Sequence, residues 1–178
     1  MKRVKLWDKE FEISYPAHEI KKDIENLANA LNKDLSNEPM PLFVSVLNGS
    51  FIFTADLIRL IQFPCEVSFV KLTSYQGTET TGTVNQLIGL NEKIEGRTVI
   101  ILEDIVDTGI TLGKLIETLE HHRPKAIKIA TLLFKPEAYK GSVTIDYIGK
   151  IIPNDFIVGY GLDYNGLGRN LADIYTLV

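Results

Sequence analysis

The chain has 178 residues, 45% of them hydrophobic and 24% charged, which suits one domain, residues 1–178, with a sizeable core. Nineteen basic against 23 acidic residues give a formal charge of -4, without the basic face a nucleic-acid partner favours. Cys65 stands alone, which rules out an internal disulfide. No apolar run reaches the roughly 20 residues that span a bilayer, and no apolar stretch follows the basic start Met1-Lys2-Arg3, so the expectation is a cytoplasmic protein with no membrane partner.

The first periodic segment is helical. Ile20, Ile24, Leu27, Leu31 and Leu35 recur at steps of three and four, forming one apolar stripe. Ser14 is placed to cap this helix, and Pro16 suits its first turn. Leu42 to Leu47 reads as a buried strand, the Asn48-Gly49 turn follows, and Phe51 to Ile61 reads as a helix. Glu66 to Thr73 is a second strand, with Val67, Phe69 and Lys71 on one face. Cys65 at its start is expected to pack rather than react. A polar stretch from Ser74 to Thr83 separates it from a strand over Val84 to Leu90.

Thr98 to Leu102 is a continuous apolar run, the pattern of a strand buried on both faces. A helix is expected from about Thr111 to Glu120, then strands over Ala126 to Phe134 and Phe156 to Tyr160. His121-His122 reads as a solvated helix end and His18 as an exposed first-turn residue, neither with metal-ligand spacing. Alternating strands and helices argue an α/β fold with a mainly parallel central sheet flanked by helices. Ligands in such folds sit at the carboxyl ends of the strands. Asn48-Gly49, Ser74-Tyr75, Glu103-Asp104, Asp107-Thr108-Gly109 and Lys135 stand at those ends.

The segment Val99 to Thr111 carries the most chemistry. Glu103, Asp104 and Asp107 place three carboxylates within five positions, and such crowding raises pKa values unless a cation, a diol or a cationic intermediate compensates. Thr108, Gly109 and Thr111 follow at a helix start, where backbone N–H groups and the macrodipole favour an anion. Acids for a sugar followed by donors for a phosphate suit a ribose 5-phosphate. The loop has no Gly-Lys-[Ser/Thr] of a P-loop and no Gly-x-Gly-x-x-Gly.

This segment resembles the phosphoribosyl-diphosphate signature of the type I phosphoribosyltransferases. Residues from about Leu42 to Arg169 resemble the hypoxanthine-guanine branch in order and spacing. The resemblance implies the fold of that family, with a small hood and a mobile loop that opens with Ser74 and Tyr75. It implies that Glu103 and Asp104 bind the ribose hydroxyls and magnesium, and that Asp107 is the general base at purine N7. Asp107, Thr108, Gly109, Ile110 and Thr111 would wrap the 5-phosphate. Asn48, Gly49 and Arg169 would meet the diphosphate. Lys135, Phe156, Ile157 and Asp163 would hold the purine, with Asp163 near a second magnesium. The implied activity is purine salvage: phosphoribosyl diphosphate plus hypoxanthine or guanine giving IMP or GMP and diphosphate, by a homodimer or homotetramer with Mg2+ as cofactor.

Lys135 carries the base preference, because an ammonium only donates hydrogen bonds. It would suit a 6-oxo group and oppose a 6-amino group. One departure stands out: Asn48 sits where relatives often carry Lys or Arg. Asparagine brings a donor but no charge. Two rival readings remain at this point: an enzyme for xanthine, and a regulatory protein that keeps the fold to bind a nucleotide or RNA.

Overall fold

The computed structural model describes residues 3–75 and 84–178. Ten strands and three helices are placed among the described residues. In chain order they are β1 (Arg3–Leu6), β2 (Lys9–Tyr15), α1 (Ala17–Leu35), β3 (Leu42–Val46), α2 (Phe51–Ile58), β4 (Glu66–Tyr75) and β5 (Val84–Ile88). Then follow β6 (Thr98–Val106), α3 (Ile110–Glu120), β7 (Ala126–Phe134), β8 (Tyr147–Ile151), β9 (Ile157–Val158) and β10 (Ile174–Leu177).

The main sheet has the order β5-β4-β3-β6-β7-β8. β4, β3, β6, β7 and β8 are mutually parallel, and only β5 runs antiparallel to its neighbour β4. Side chains that alternate along each strand supply two cores. Phe43, Ile100, Leu102, Ala130 and Leu132 pack with the α1 stripe and with Phe53 and Leu57 of α2. Leu42, Val44, Val99, Ile101 and Ile129 pack with Leu112, Leu115, Ile116 and Leu119 of α3. The continuous apolar runs of β3 and β6 thus feed both faces, as the sequence implied for Thr98 to Leu102.

A second sheet, β1-β2-β10-β9, is antiparallel throughout and corresponds to the expected hood. It has its own cluster around Phe11, Val158 and Tyr175. Tyr15, Tyr160 and Ile174 join it to the core of the main sheet. β1, β2, β8 and β10 went unread in the sequence, and Phe156 to Tyr160 yields only the two-residue β9. Pairs such as Phe11 with Leu177 are too distant along the chain to leave a local signal.

Two local readings need correction. Ser14 does not cap α1, because it lies in β2 and its hydroxyl accepts from Thr176 Oγ1 at 2.7 Å. Pro16 occupies the N-cap position, and Asp173 Oδ1 accepts the Ala17 N–H at 2.8 Å. Among the side chains described in β4, Ser68 and Val70 are buried and alternate with Val67, Phe69 and Lys71, of which Phe69 is 42% exposed. Cys65 is half-buried against the main core, and burial pushes its thiol pKa up, so it is a packing residue.

The Asp173 cap yields a stability prediction. Asp173→Ala should cost about 1 kcal/mol, the usual value of a lost helix cap. Thermal unfolding would show the loss, with the kinetic constants unchanged.

The order of the main sheet locates the crevice. From β3 the chain passes through α2 to β4 on one side, and from β6 through α3 to β7 on the other. The loops after β3 and β6 therefore diverge between adjacent strands, and the carboxyl ends there form the topological switch point where ligands bind.

Candidate active site

β6 runs straight through the acidic residues rather than ending before them. Glu103 pairs with Thr131 of β7, and the strand stops only at Val106. Glu103 and Asp104 are consequently 8% and 9% exposed. Burial raises the Glu103 pKa well above the carboxylate range, and the Asp104 charge adds to it. Burial raises Asp104 to about 6, against the opposing pull of backbone N–H groups and Arg169. Two buried acids kept together at this cost indicate a site that expects positive charge.

The turn after β3 supplies the opposite wall. Its Leu47–Asn48 peptide is cis, and Asn48 is exposed. A Cβ on Gly49 would lie 1.7 Å from Asp104 Oδ2, so the carboxylate packs directly on the glycine backbone. Gly161 closes the turn from the other side. Its φ is +101°, and a Cβ there would meet the Gly49 carbonyl oxygen at 2.1 Å. Only glycine meets both demands.

Arg169 secures this corner. Its guanidinium donates to the Gly161 carbonyl at 2.6 Å and pairs with Asp163 Oδ1 at 2.5 Å. Asp163 Oδ2 accepts the Gly166 N–H at 2.7 Å. The segment Gly161 to Gly168 is thus pinned, with both of these glycines buried.

Past β6, residues Asp107 to Gly109 lead into α3, with Gly109 at its N-cap position. Glu103, Val106, Asp107, Thr108, Gly109, Thr111 and Leu112 border a cavity of about 110 Å³. Thr108, Ile110 and Thr111 are exposed. The Thr108 hydroxyl is near the Ile110 N–H at 3.4 Å, and the Thr108 carbonyl accepts the Lys140 N–H at 3.1 Å. Tyr139 packs against Gly109. Neither Lys140 nor Tyr139 was expected from the sequence.

Lys135 is 6% exposed. Its Nζ donates to the Asp155 carbonyl at 2.8 Å and stands 3.5 Å from Asp107 Oδ2. This brings β6, β7 and the 155–157 segment together. Phe156 is 46% exposed and holds its ring against Phe11 and Tyr164, at centroid distances of 6.1 and 5.7 Å. Ile157 lies in β9, opposite Thr176. Ser74 and Tyr75 close β4, but their side chains and the loop 76–83 lie outside the described residues.

The family resemblance implies magnesium at Glu103, Asp104 and Asp163. Among the described residues no group of three His, Cys, Asp or Glu side chains is placed to hold a metal alone. Both oxygens of Asp163 already have partners. Glu103 and Asp104 have no salt-bridge partner among the described residues. Two buried carboxylates without a fixed cation suit Mg2+, which binds through one or two carboxylates plus substrate oxygens and water.

The raised Asp104 pKa gives a second prediction. The shift from 3.8 to about 6 costs the ionised form about 3 kcal/mol in the ligand-free fold. Within that window the folded state holds the proton more tightly than the unfolded one, so this group's contribution to stability falls as pH rises. Asp104→Asn should therefore raise the melting temperature of the free protein at pH 8 and give little gain at pH 4. Calorimetry at the two pH values checks it, and an equal gain at both would refute the assigned cause.

Known proteins share the sequence and fold of this chain. The phosphoribosyl transferase domain model matches residues 14–165. A hypoxanthine-guanine phosphoribosyltransferase of Staphylococcus epidermidis is 42% identical over 160 residues, covering 87% of this chain and 89% of the relative. A solved hypoxanthine phosphoribosyltransferase of Staphylococcus aureus matches with a TM-score of 0.86 at 40% identity, over 94% of this chain and 91% of the other. A Trypanosoma cruzi hypoxanthine phosphoribosyltransferase variant, solved as a ternary substrates complex, matches with a TM-score of 0.85 at 35% identity, over 93% of this chain and 94% of the other. With the acidic strand end, the glycine-lined crevice and the helix-start loop in place, the chain belongs to the hypoxanthine-guanine phosphoribosyltransferase family.

Proposed function

We propose that the protein transfers the 5-phosphoribosyl group of phosphoribosyl diphosphate to N9 of hypoxanthine or guanine, giving IMP or GMP and diphosphate. The observation that carries this is Lys135, a buried donor-only group set between Asp107 and the Phe156 segment. A 6-oxo group meets that ammonium as an acceptor, and a 6-amino group would face it as a second donor.

The assigned roles follow the walls of the crevice. Glu103 and Asp104 bind the ribose hydroxyls, and backbone N–H groups of residues 108–111 bind the 5-phosphate. Asn48, Gly49 and Arg169 meet the diphosphate, and the exposed face of Phe156 stacks on the purine while Ile157 and Asp163 lie at its edge. As the C1–O bond to diphosphate breaks, positive charge grows on the sugar, where the two buried carboxylates stabilise it. N9 forms the new bond to C1, and Asp107 takes the N7 proton. Magnesium, held by Glu103 and Asp104 with Asp163 joining only if it releases Arg169, would supply charge that makes diphosphate a better leaving group.

The reading includes a cytoplasmic enzyme working as a homodimer or homotetramer. The exposed Phe51 and Phe69 offer apolar surface for a second copy. No helix among the described residues is long and apolar enough to cross a membrane.

The test is an assay with Mg2+, phosphoribosyl diphosphate and hypoxanthine, guanine, xanthine or adenine singly. Turnover of hypoxanthine or guanine, with adenine inert, is the expected result. Adenine turnover at a comparable rate, or none with any base, would overturn it.

A further inference from the structure

The turn after β3 rests on a buried polar chain that no step above uses. Ser45 of β3, Ser50 at the N-cap position of α2 and Thr54 within α2 are fully buried. Ser45 Oγ lies 2.7 Å from both Ser50 Oγ and Thr54 Oγ1, and Ser50 Oγ donates to the Val46 carbonyl at 2.5 Å. A hydroxyl has a single proton to donate. That of Ser50 is committed to Val46, so Ser50 accepts from Ser45. The Ser45 proton is then used, so Ser45 accepts from Thr54. The chain runs one way, from Thr54 through Ser45 and Ser50 to the Val46 carbonyl.

Apolar residues of like volume would fill this space without the desolvation cost of three hydroxyls. What the hydroxyls add is a single arrangement, since a satisfied buried network rigidifies what it touches. This one grips the turn on both flanks, at the Val46 carbonyl before it and at Ser50 after it. Between them the Leu47 N–H donates to the Val70 carbonyl at 2.8 Å, and Gly49 is wedged between Asp104 and Gly161. Asn48 is exposed and uncharged. Asn48 adds a neutral donor but no charge, so the hold of this turn on an anion rests mainly on backbone N–H groups, whose aim follows the turn.

Resting on the reading of this turn as diphosphate-binding, we propose that Thr54, Ser45 and Ser50 are positioning residues that aim its backbone N–H groups at the diphosphate of the donor. The experiment compares Ser45→Ala, Ser50→Ala, Thr54→Val and Thr54→Ser. It measures KM for phosphoribosyl diphosphate and for hypoxanthine, inhibition by diphosphate, and amide hydrogen exchange at residues 48–50 in the free protein. Ser45→Ala and Ser50→Ala should raise the donor KM and the diphosphate inhibition constant about tenfold. Hypoxanthine KM should stay within about twofold, and exchange at 48–50 should quicken. Thr54→Ser keeps the hydroxyl and loses a methyl, and should hold the donor KM closer to that of the parent than the isosteric Thr54→Val does.

Donor and base constants that worsen together in step with lost stability would overturn the proposal. So would a Thr54→Ser donor KM worse than that of Thr54→Val, since both results point to packing alone. Gly49→Ala is the reference for the underlying reading. If it leaves donor KM and diphosphate inhibition untouched, the diphosphate assignment fails and takes this inference with it. If it weakens both while the hydroxyl variants change neither exchange nor donor KM, only the positioning role fails.

Discussion

Asp107→Asn should lower kcat by roughly 10²- to 10⁴-fold, the usual contribution of a positioned general base. Asparagine keeps the shape of the side chain but cannot take the N7 proton. The fold should survive the change. Asp107 has a side chain 47% exposed, and its partner Lys135 keeps the Asp155 carbonyl at 2.8 Å after the 3.5 Å ion pair is lost. Donor KM should move little, because residues 108–111 present backbone N–H groups that the substitution does not touch. Steady-state rates at saturating substrate, with the melting temperature as control, decide the matter. A folded variant within tenfold of the parent in kcat would remove Asp107 from proton transfer.

Lys135→Met should raise the KM for hypoxanthine about 10- to 100-fold and shrink the preference for hypoxanthine over adenine by a similar factor. Leaving a buried group unpaired costs about 1–3 kcal/mol, and here the unpaired group is purine O6. Methionine keeps the length and apolar stem of the lysine in a slot only 6% exposed. The released Asp155 carbonyl belongs to an exposed residue and can turn to water. Asp107 loses its cationic neighbour, so a drop in kcat is expected as well. Base competition separates the two effects, because lost proton transfer slows both bases whereas a lost O6 contact penalises only the 6-oxo one. An unchanged ratio between the bases would show that Lys135 does not read the 6-position.

Parts of this site were legible because they are local. The strand–acid–acid–turn–helix order from Val99 to Thr111 places carboxylates and helix-start N–H groups within a few residues of one another, whatever the rest of the chain does. Lys135 was legible for the same reason, as the residue that ends an apolar strand. What it touches was not. The Asp155 carbonyl is a backbone atom with no sequence signal, and Tyr139 and Lys140 reach the loop at Thr108 and Gly109 only because β7 lies beside β6. The acids also looked like a loop in sequence, since charge usually ends a strand. Pairing with β7 carries β6 through them and buries them, which is why their pKa values rise.

By itself the sequence determined the α/β class, the stripe of α1, the buried strand β3, the doubly buried run of β6, the strand β7, and the order of acids and helix-start residues from Val99 to Thr111. Each depends on a period of two or 3.6 residues, or on neighbours a few positions apart. Only the tertiary structure decided that Asp173 rather than Ser14 caps α1, that the chain ends pair into a second sheet, and that Gly161 seats on Gly49 against Asp104. These contacts join residues more than 50 positions apart. Strand order and register create them, and no local pattern of side chains encodes which distant backbone will arrive.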